Sequence, residues 1–418
     1  MSLPIGLEDL SRDQLARLVP EYLLAGHLID RAGMPHLIGA FGRDVMRDIA
    51  IEEWMGASPV YTKRMQRALA FEGDSVEVIF KGMQFDIGAP PQFMDFRYEL
   101  TDHDHGGFRL DHCGALMDVE PMGPEYVVAM CHDIEDPTFD ATAIATNNRA
   151  RVRPVHRPPR VPADRQPHCQ WDVTISDRHP PLPEPPQAAA MQHTRAARLE
   201  LDPIDPADDG RHDYSGPLLA DLRFSDWSSS ALRRIAQEVT LQGHLLVLSF
   251  MAATGERVGS RAEAVEFGRR QFAGVAGVVA TRLHGALGLG HRLDDAASLL
   301  SLHPALLPAA YVHSTVESGD SLVVRFDPDA AAQADGAWPS MLGADRLEPL
   351  DAIVQAVDRR LRCVPLEGDH RGLVVEVVLG DREAPLSDDV LVTRFSTGAE
   401  YAFTERGTPV EIRPRPLS

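Results

Sequence analysis

Four cysteines in 418 residues are too few for a disulfide framework. No stretch of about 18 or more apolar residues is present, so the sequence holds no candidate membrane span. Basic side chains are scarce beside acidic ones, 41 against 62, for a formal net charge of -21. That balance argues against nucleic acid or an anionic membrane surface as partner, because each needs a basic patch. The first residues, Met1 to Asp9, have neither the basic leader nor the apolar core of a signal peptide. A cytoplasmic protein with reduced thiols is therefore expected. What is there is a globular composition, 44% hydrophobic and 25% charged, in a chain long enough for two domains. A small molecule is the expected partner, and assembly into a homo-oligomer is compatible with the composition.

The capping box Ser11-x-x-Gln14 predicts a helix over 11–33, kinked at Pro20, and a second helix follows to about Trp54. Ser58-Pro59 predicts the start of a third, with Arg64 and Arg67 on its polar side. Alternation predicts strands over 93–100 and 108–113, joined by a polar turn at 102–107. Short helices are expected from Pro124 to about Cys131 and from Pro137, with Asp136 as N-cap, and strands over 151–155 and 169–175. The segment 180–206, rich in proline and alanine, reads as a linker. Helices from about Ala231 and from the box Ser260-x-x-Glu263 follow. Strands over 311–317 and 322–326, turning at Ser318-Gly319-Asp320, a helix over 350–359 and strands over 361–366 and 373–379 complete the order.

That order repeats, and so do residues. A shift of 217 lays Leu15, Arg17, Glu21, Leu24, Gly26, His27 and Leu28 on Leu232, Arg234, Glu238, Leu241, Gly243, His244 and Leu245. A shift of 211 lays Asp140, Arg149, Arg151 and Pro154 on Asp351, Arg360, Arg362 and Pro365, and Arg223-Phe224-Ser225 matches Arg394-Phe395-Ser396. The chain is read as an α+β tandem duplication, each unit a helical leader followed by an antiparallel sheet with short helices. Residues 11–177 form the first copy and candidate catalytic unit, 178–229 a proline-rich linker and connecting strand, and 230–418 a degenerate second copy. Features common to both copies point to the fold; features of one copy point to chemistry.

Cys113, Cys131 and Cys169 occur only in the first copy, beside His112, His132 and His168. Alternation puts Cys113 on a face with Arg109 and Asp111, where positive charge would favour a thiolate. Cys131-His132-Asp133 supplies nucleophile, base and orienting carboxylate types together. Asp133, Glu135 and Asp136 also read as caps of the helix at Pro137, and each cysteine alone also reads as a small apolar filler. Zinc is the competing reading, but no Cys-x-x-Cys or His-x3-His unit occurs, and no cofactor is expected. Arg149 and Arg151 are candidates for a substrate carboxylate; their counterparts Arg360 and Arg362 equally suggest a structural use.

The order Cys113, Cys131-x-Asp133, Asn148, His168-Cys169-x-Trp171 resembles the L-2-amino-thiazoline-4-carboxylic acid hydrolase-like family, over roughly residues 15–177. The resemblance implies hydrolysis of a C=N or amide-like bond in a small polar molecule or heterocycle. On that reading Cys113 or Cys169 is the nucleophile, with Cys131 as a further candidate, a histidine among His112, His132 and His168 moves the proton, and Asp133 orients it. Arg109, Arg149, Arg151 and Trp171 are then candidate substrate contacts. A non-enzymatic small-ligand binding protein using the cleft between the copies is the alternative, and a Cys/His metalloenzyme the third.

Overall fold

Ser11 caps the first helix as its spacing requires: its hydroxyl accepts from Gln14 N at 3.3 Å, and the Gln14 side chain accepts from Ser11 N at 3.0 Å. In the computed structural model, which describes residues 5–414 except 320, 368–370 and 405, helix α1 (Arg12–Phe41) continues through both Pro20 and Pro35. The expected turn residue Asp320 and residues 1–4 lie outside the described residues. Gly42, at φ 81°, leads into α2 (Arg43–Ala68), which is unbroken at Pro59. The helix expected to begin at Ser58 is thus the middle of a longer one. Ser58 is buried, and Arg64 is buried and ion-paired, not on a polar face. Close packing against the second copy overrides the proline here: a Cβ on Gly56 would lie 2.1 Å from Ser249 Oγ.

Helix α3 (Val76–Met83) leads to β1 (Met94–Leu100) and β2 (His105–Cys113). The turn between them is shorter than expected because His105 to Gly107 already pair. Phe108 and Leu110 face the core while Arg109 and Asp111 face solvent. Alternation would send Cys113 outward. Instead Leu110 pairs with Phe96 and Cys113 with Met94, so β2 spends three steps where β1 spends two. That bulge turns Cys113 to the buried face, away from Arg109, which bonds Asp111 at 3.0 Å on the surface.

Helices α4 (Gly114–Val119) and α5 (Pro124–Val128) follow, then one wide π turn over Ala129–Ile134 and α6 (Glu135–Ile144). Pro137 sits inside α6 and does not start it, and Asp136 is helical and bonds Arg157 instead of capping. A proline ring crowds the carbonyl four residues back, Asp133, and the wider turn holding Asp133 relieves that crowding. Strands β3 (Ala150–His156) and β4 (Cys169–Ile175) complete an antiparallel sheet of order β1-β2-β4-β3. The linker expected over 180–206 is a packed strap: it carries α7 (Pro186–Met191) and α8 (Arg195–Arg198), whose Ala188, Met191 and Ala196 are buried. Alanine favours helix once a surface is there to bury it. The connecting strand expected in 178–229 is reduced to isolated bridges, such as Arg211 with Trp227.

The second copy repeats the plan with α9 (Ser229–Gly255), α10 (Arg261–Leu287), α11 (Leu293–Leu302), α12 (Ala309–Val312), β5 (Ser314–Ser318), β6 (Leu322–Phe326), α13 (Ala331–Asp335), α14 (Glu348–Val354), β7 (Leu361–Pro365), β8 (Val374–Leu379) and α15 (Asp388–Thr393). Its sheet order, β5-β6-β8-β7, is that of the first. Tyr311 belongs to α12 and not to the expected strand; His313, at φ 51°, ends that helix. The expected helix over 350–359 is the shorter α14. Asp140 accepts from Val152 N at 3.0 Å and Asp351 accepts from Cys363 N at 2.6 Å, the same bond in each copy. The chain is an α+β tandem duplication.

The copies interlock. Helix α2 packs on α9, α10 packs on α1, and α1 packs on α9, so each leader is covered mainly by the other copy. Arg64 grips Glu238 at 2.8 and 3.0 Å, and Arg282 grips Glu21 at 2.7 and 3.1 Å. Glu21 and Glu238 are equivalent by the shift of 217, and Arg64 and Arg282 by one of 218. Two bidentate pairs thus cross the boundary in opposite senses.

Candidate functional site

Helix α1 carries Asp30 and Arg31 between apolar neighbours, and both side chains are buried. They pair at 2.5 Å. Around them lies a cavity of about 110 Å³ in the first copy. Its polar wall is His27, Asp30 and Arg31 from α1, Tyr61 from α2, Asp86 from the turn before β1, and Glu135 at the start of α6. Trp54, Phe96 and Phe139 supply aromatic surface. Each polar group is held by local structure. Asp86 Oδ1 accepts from Gly88 N and from Tyr61 OH, both at 2.7 Å, and Oδ2 accepts from neither. Glu135 directly follows the π turn, a feature frequent where a helix serves a site.

Burial sets the protonation of this wall. Asp86 is pushed up to about 6 by desolvation, partly offset by its bonds from Tyr61 and Gly88. Glu135 is pushed up to about 8 by desolvation, with Arg157 offsetting part and Asp136 adding to it. Near neutrality one carboxyl is ionised and the other protonated. Glu53, buried beside them with Oε1 unbonded, is raised by desolvation and by Asp30. His27 is held neutral by burial and by Arg31, and neither ring nitrogen has a hydrogen-bond partner among the described residues.

The duplication acts as a control. Asp30, Arg31, Glu53, Trp54 and Tyr61 correspond to Val247, Leu248, Gln271, Phe272 and Val279. Gln271 bonds the Ile29 carbonyl at 3.1 Å, and Phe272 stacks on Trp338 at 4.9 Å. His244, the counterpart of His27, bonds the Leu307 carbonyl at 2.7 Å. The fold therefore stands without the charged wall, and of the two histidines read as framework His244 is tied to the backbone while His27 lines the cavity.

The residues singled out from sequence distribute differently. Cys113, Cys131 and Cys169 do come to one neighbourhood in the core, each raised further by the charge of Glu135. None lines the cavity. Cys113 Sγ accepts from Leu116 N at 3.3 Å as the N-cap of α4, and desolvation, then Glu135, push it up to about 12. Cys131 and Cys169 are raised for the same two reasons. Among the described residues no thiol bonds a histidine. His112 stacks on Tyr401 and lies 5.9 Å from His168 between ring centres. Burial lowers both histidines. His132 bonds the Pro158 carbonyl at 2.7 Å, and Asp133 faces Arg47 at 3.5 Å near the surface.

Trp171 is buried against Phe108 and Phe139, with Arg157 over its ring. Arg149 bonds the carbonyls of Asp177 and His179, and Arg151 those of Ala150 and Pro180. Arg362 likewise bonds the Arg382 carbonyl, so these arginines pin the chain after the last strand in both copies. No group of three or more His, Cys, Asp or Glu side chains among the described residues is arranged to hold a metal ion. No helix of the described residues is long and apolar enough to cross a membrane. Comparison with protein families, curated proteins and solved structures finds no match to this chain.

Proposed function

We propose that the first copy is a hydrolase for a carbon–nitrogen bond of a small molecule bearing a basic nitrogen, working by carboxyl acid–base catalysis in the cavity. The observation that carries this is a cavity in the first copy walled by carboxyl groups of unlike protonation. Asp30 and Arg31 neutralise each other as an ion pair, which leaves the Asp86 carboxylate to attract a cation, beside the aromatic surface of Trp54 and Phe139. Asp86 takes a proton from water as the water oxygen bonds to the substrate carbon. Glu135 gives its proton to the leaving nitrogen as the carbon–nitrogen bond breaks. The reaction class agrees with the one the family resemblance implies. The nucleophile differs: a thiol raised to about 12 is a poor source of thiolate at neutral pH, and the cavity wall contains none.

A panel of small amides, amidines and cyclic imines carrying an amino group tests this by release of free amine or ammonia. Turnover is expected to fall roughly 100-fold or more in Glu135→Gln with ligand binding retained, and in Asp86→Asn with binding of the cation weakened as well. The triple variant Cys113→Ala, Cys131→Ala, Cys169→Ala is expected to keep turnover once folded. Loss of all turnover there, with Glu135→Gln active, would return the chemistry to the thiols. Binding of the amines with no turnover of any panel member would favour the non-enzymatic reading.

A further inference from the structure

The polar cavity adjoins a second space. Arg31, Met34, Met130 and Ile134 line both, and the second measures about 460 Å³. That volume is within the range of small-molecule sites, about 300–1,000 Å³. Ile38 from α1 and Val392 from α15 wall it, while Met122, Leu391 and Phe395, exposed by 38%, 50% and 41%, lie on its solvent side. Arg31 is the one charged side chain in its lining among the described residues. Its Nη2 is committed to Asp30 and its Nη1 lies 3.7 Å from Met130 Sδ. Its Nε is buried with no hydrogen-bond partner among the described residues. A buried donor at the junction of a charged and an apolar space calls for an acceptor on whatever spans the two.

We propose that the apolar space takes the acyl chain of an N-acyl amine, whose carbonyl oxygen accepts from Arg31 Nε and whose amine portion lies in the polar cavity. This rests on the hydrolytic reading above and names its substrate class. In the reaction water's oxygen bonds to the acyl carbon, the bond to nitrogen breaks and the nitrogen takes a proton, giving a carboxylic acid and a free amine. An almost wholly apolar lining gives water few partners, so a hydrocarbon chain gains by filling it.

The test uses monoacyl ethylenediamines from acetyl to decanoyl with the full chain, measuring binding by calorimetry and release of ethylenediamine. Affinity is expected to rise about fourfold per added methylene until the space is full. Ile38→Trp, which narrows the space, should flatten that dependence for the longer chains. Leu391→Asp, at an exposed position and so tolerated by the fold, should weaken only the long-chain probes. Equal affinity along the series, or a dependence that survives both substitutions, overturns the proposal. Amine released from the acetyl probe without chain-length dependence would sink the acyl space and keep the hydrolysis. Chain-dependent binding with no amine released would keep the acyl space and sink the hydrolysis.

Discussion

Glu135 is costly to keep. Its carboxyl is moved from 4.5 to about 8 in the folded chain, so below pH 4.5 it is protonated in both states and carries no penalty. As pH rises the unfolded chain ionises first, and stability is lost across the window from 4.5 to about 8. Glu135→Gln escapes that loss. Its melting advantage over the wild type should be absent at pH 4 and grow to on the order of 3 kcal/mol at pH 7, by denaturant titration at each pH. A constant difference across pH would mean that Glu135 is not held protonated. In turnover the same groups predict a bell-shaped profile of kcat/KM, rising as Asp86 ionises through about 6 and falling as Glu135 ionises through about 8. A flat profile over that interval would remove the acid–base pair. A residue that weakens the fold and serves the chemistry is the usual sign of a functional site.

At the scale of elements, the two leaders respond to one substitution in opposite ways. A Cβ on Gly26 would lie 2.4 Å from Ile87 Cγ2, and Ile87 belongs to the turn that carries Asp86 and Gly88. Gly26→Ala should cost about 1–3 kcal/mol through overpacking and reduce turnover by displacing that turn. On Gly243 the nearest atom is Ile29 Cδ1 at 3.3 Å, the end of a flexible side chain, and the helix gains roughly 0.5–1 kcal/mol from alanine. Gly243→Ala should therefore be near neutral or stabilising, with turnover intact; paired thermal melts and rate measurements check both.

Elements with a local signal were legible in the sequence: the Ser11 and Ser260 caps, strands β2, β4, β6 and β8, and the repeat itself. Pro59 and Pro137 misled because packing between copies and a π turn absorbed them. The bulge in β2 was invisible to simple alternation, and it reversed the side of Cys113. The site itself left one readable trace. Asp30-Arg31 interrupts an apolar stretch of α1 where the shift of 217 gives Val247-Leu248, a contrast as telling as the missing cysteines. Glu135 stood beside the cysteines and read as a helix cap, and Asp86 had no trace, because only the folded chain brings their segments to one cavity.

For the whole molecule, the crossed pairs Arg64–Glu238 and Arg282–Glu21 bind one copy to the other. Arg282→Ala leaves Glu21 buried without its cation and should cost about 3–5 kcal/mol, whereas Glu21→Leu with Arg282→Met should be close to neutral. Denaturant unfolding of the two variants gives the comparison, and equal losses in the single and double variants would refute a paired role. The strap with α7 and α8 fastens the same boundary, with Arg64 bonding the Ala197 and Leu199 carbonyls.

The exchanged leaders also bear on ancestry. Two equal units that cover each other's helices and trade reciprocal ion pairs reproduce the contact of a two-fold dimer, written into one polypeptide. A gene encoding one unit would have yielded an obligate pair with two identical cavities, and any mutation would have struck both. Within one polypeptide that constraint is gone: Val247, Leu248 and Phe272 stand in one half where Asp30, Arg31 and Trp54 stand in the other, a difference that no symmetric pair can hold.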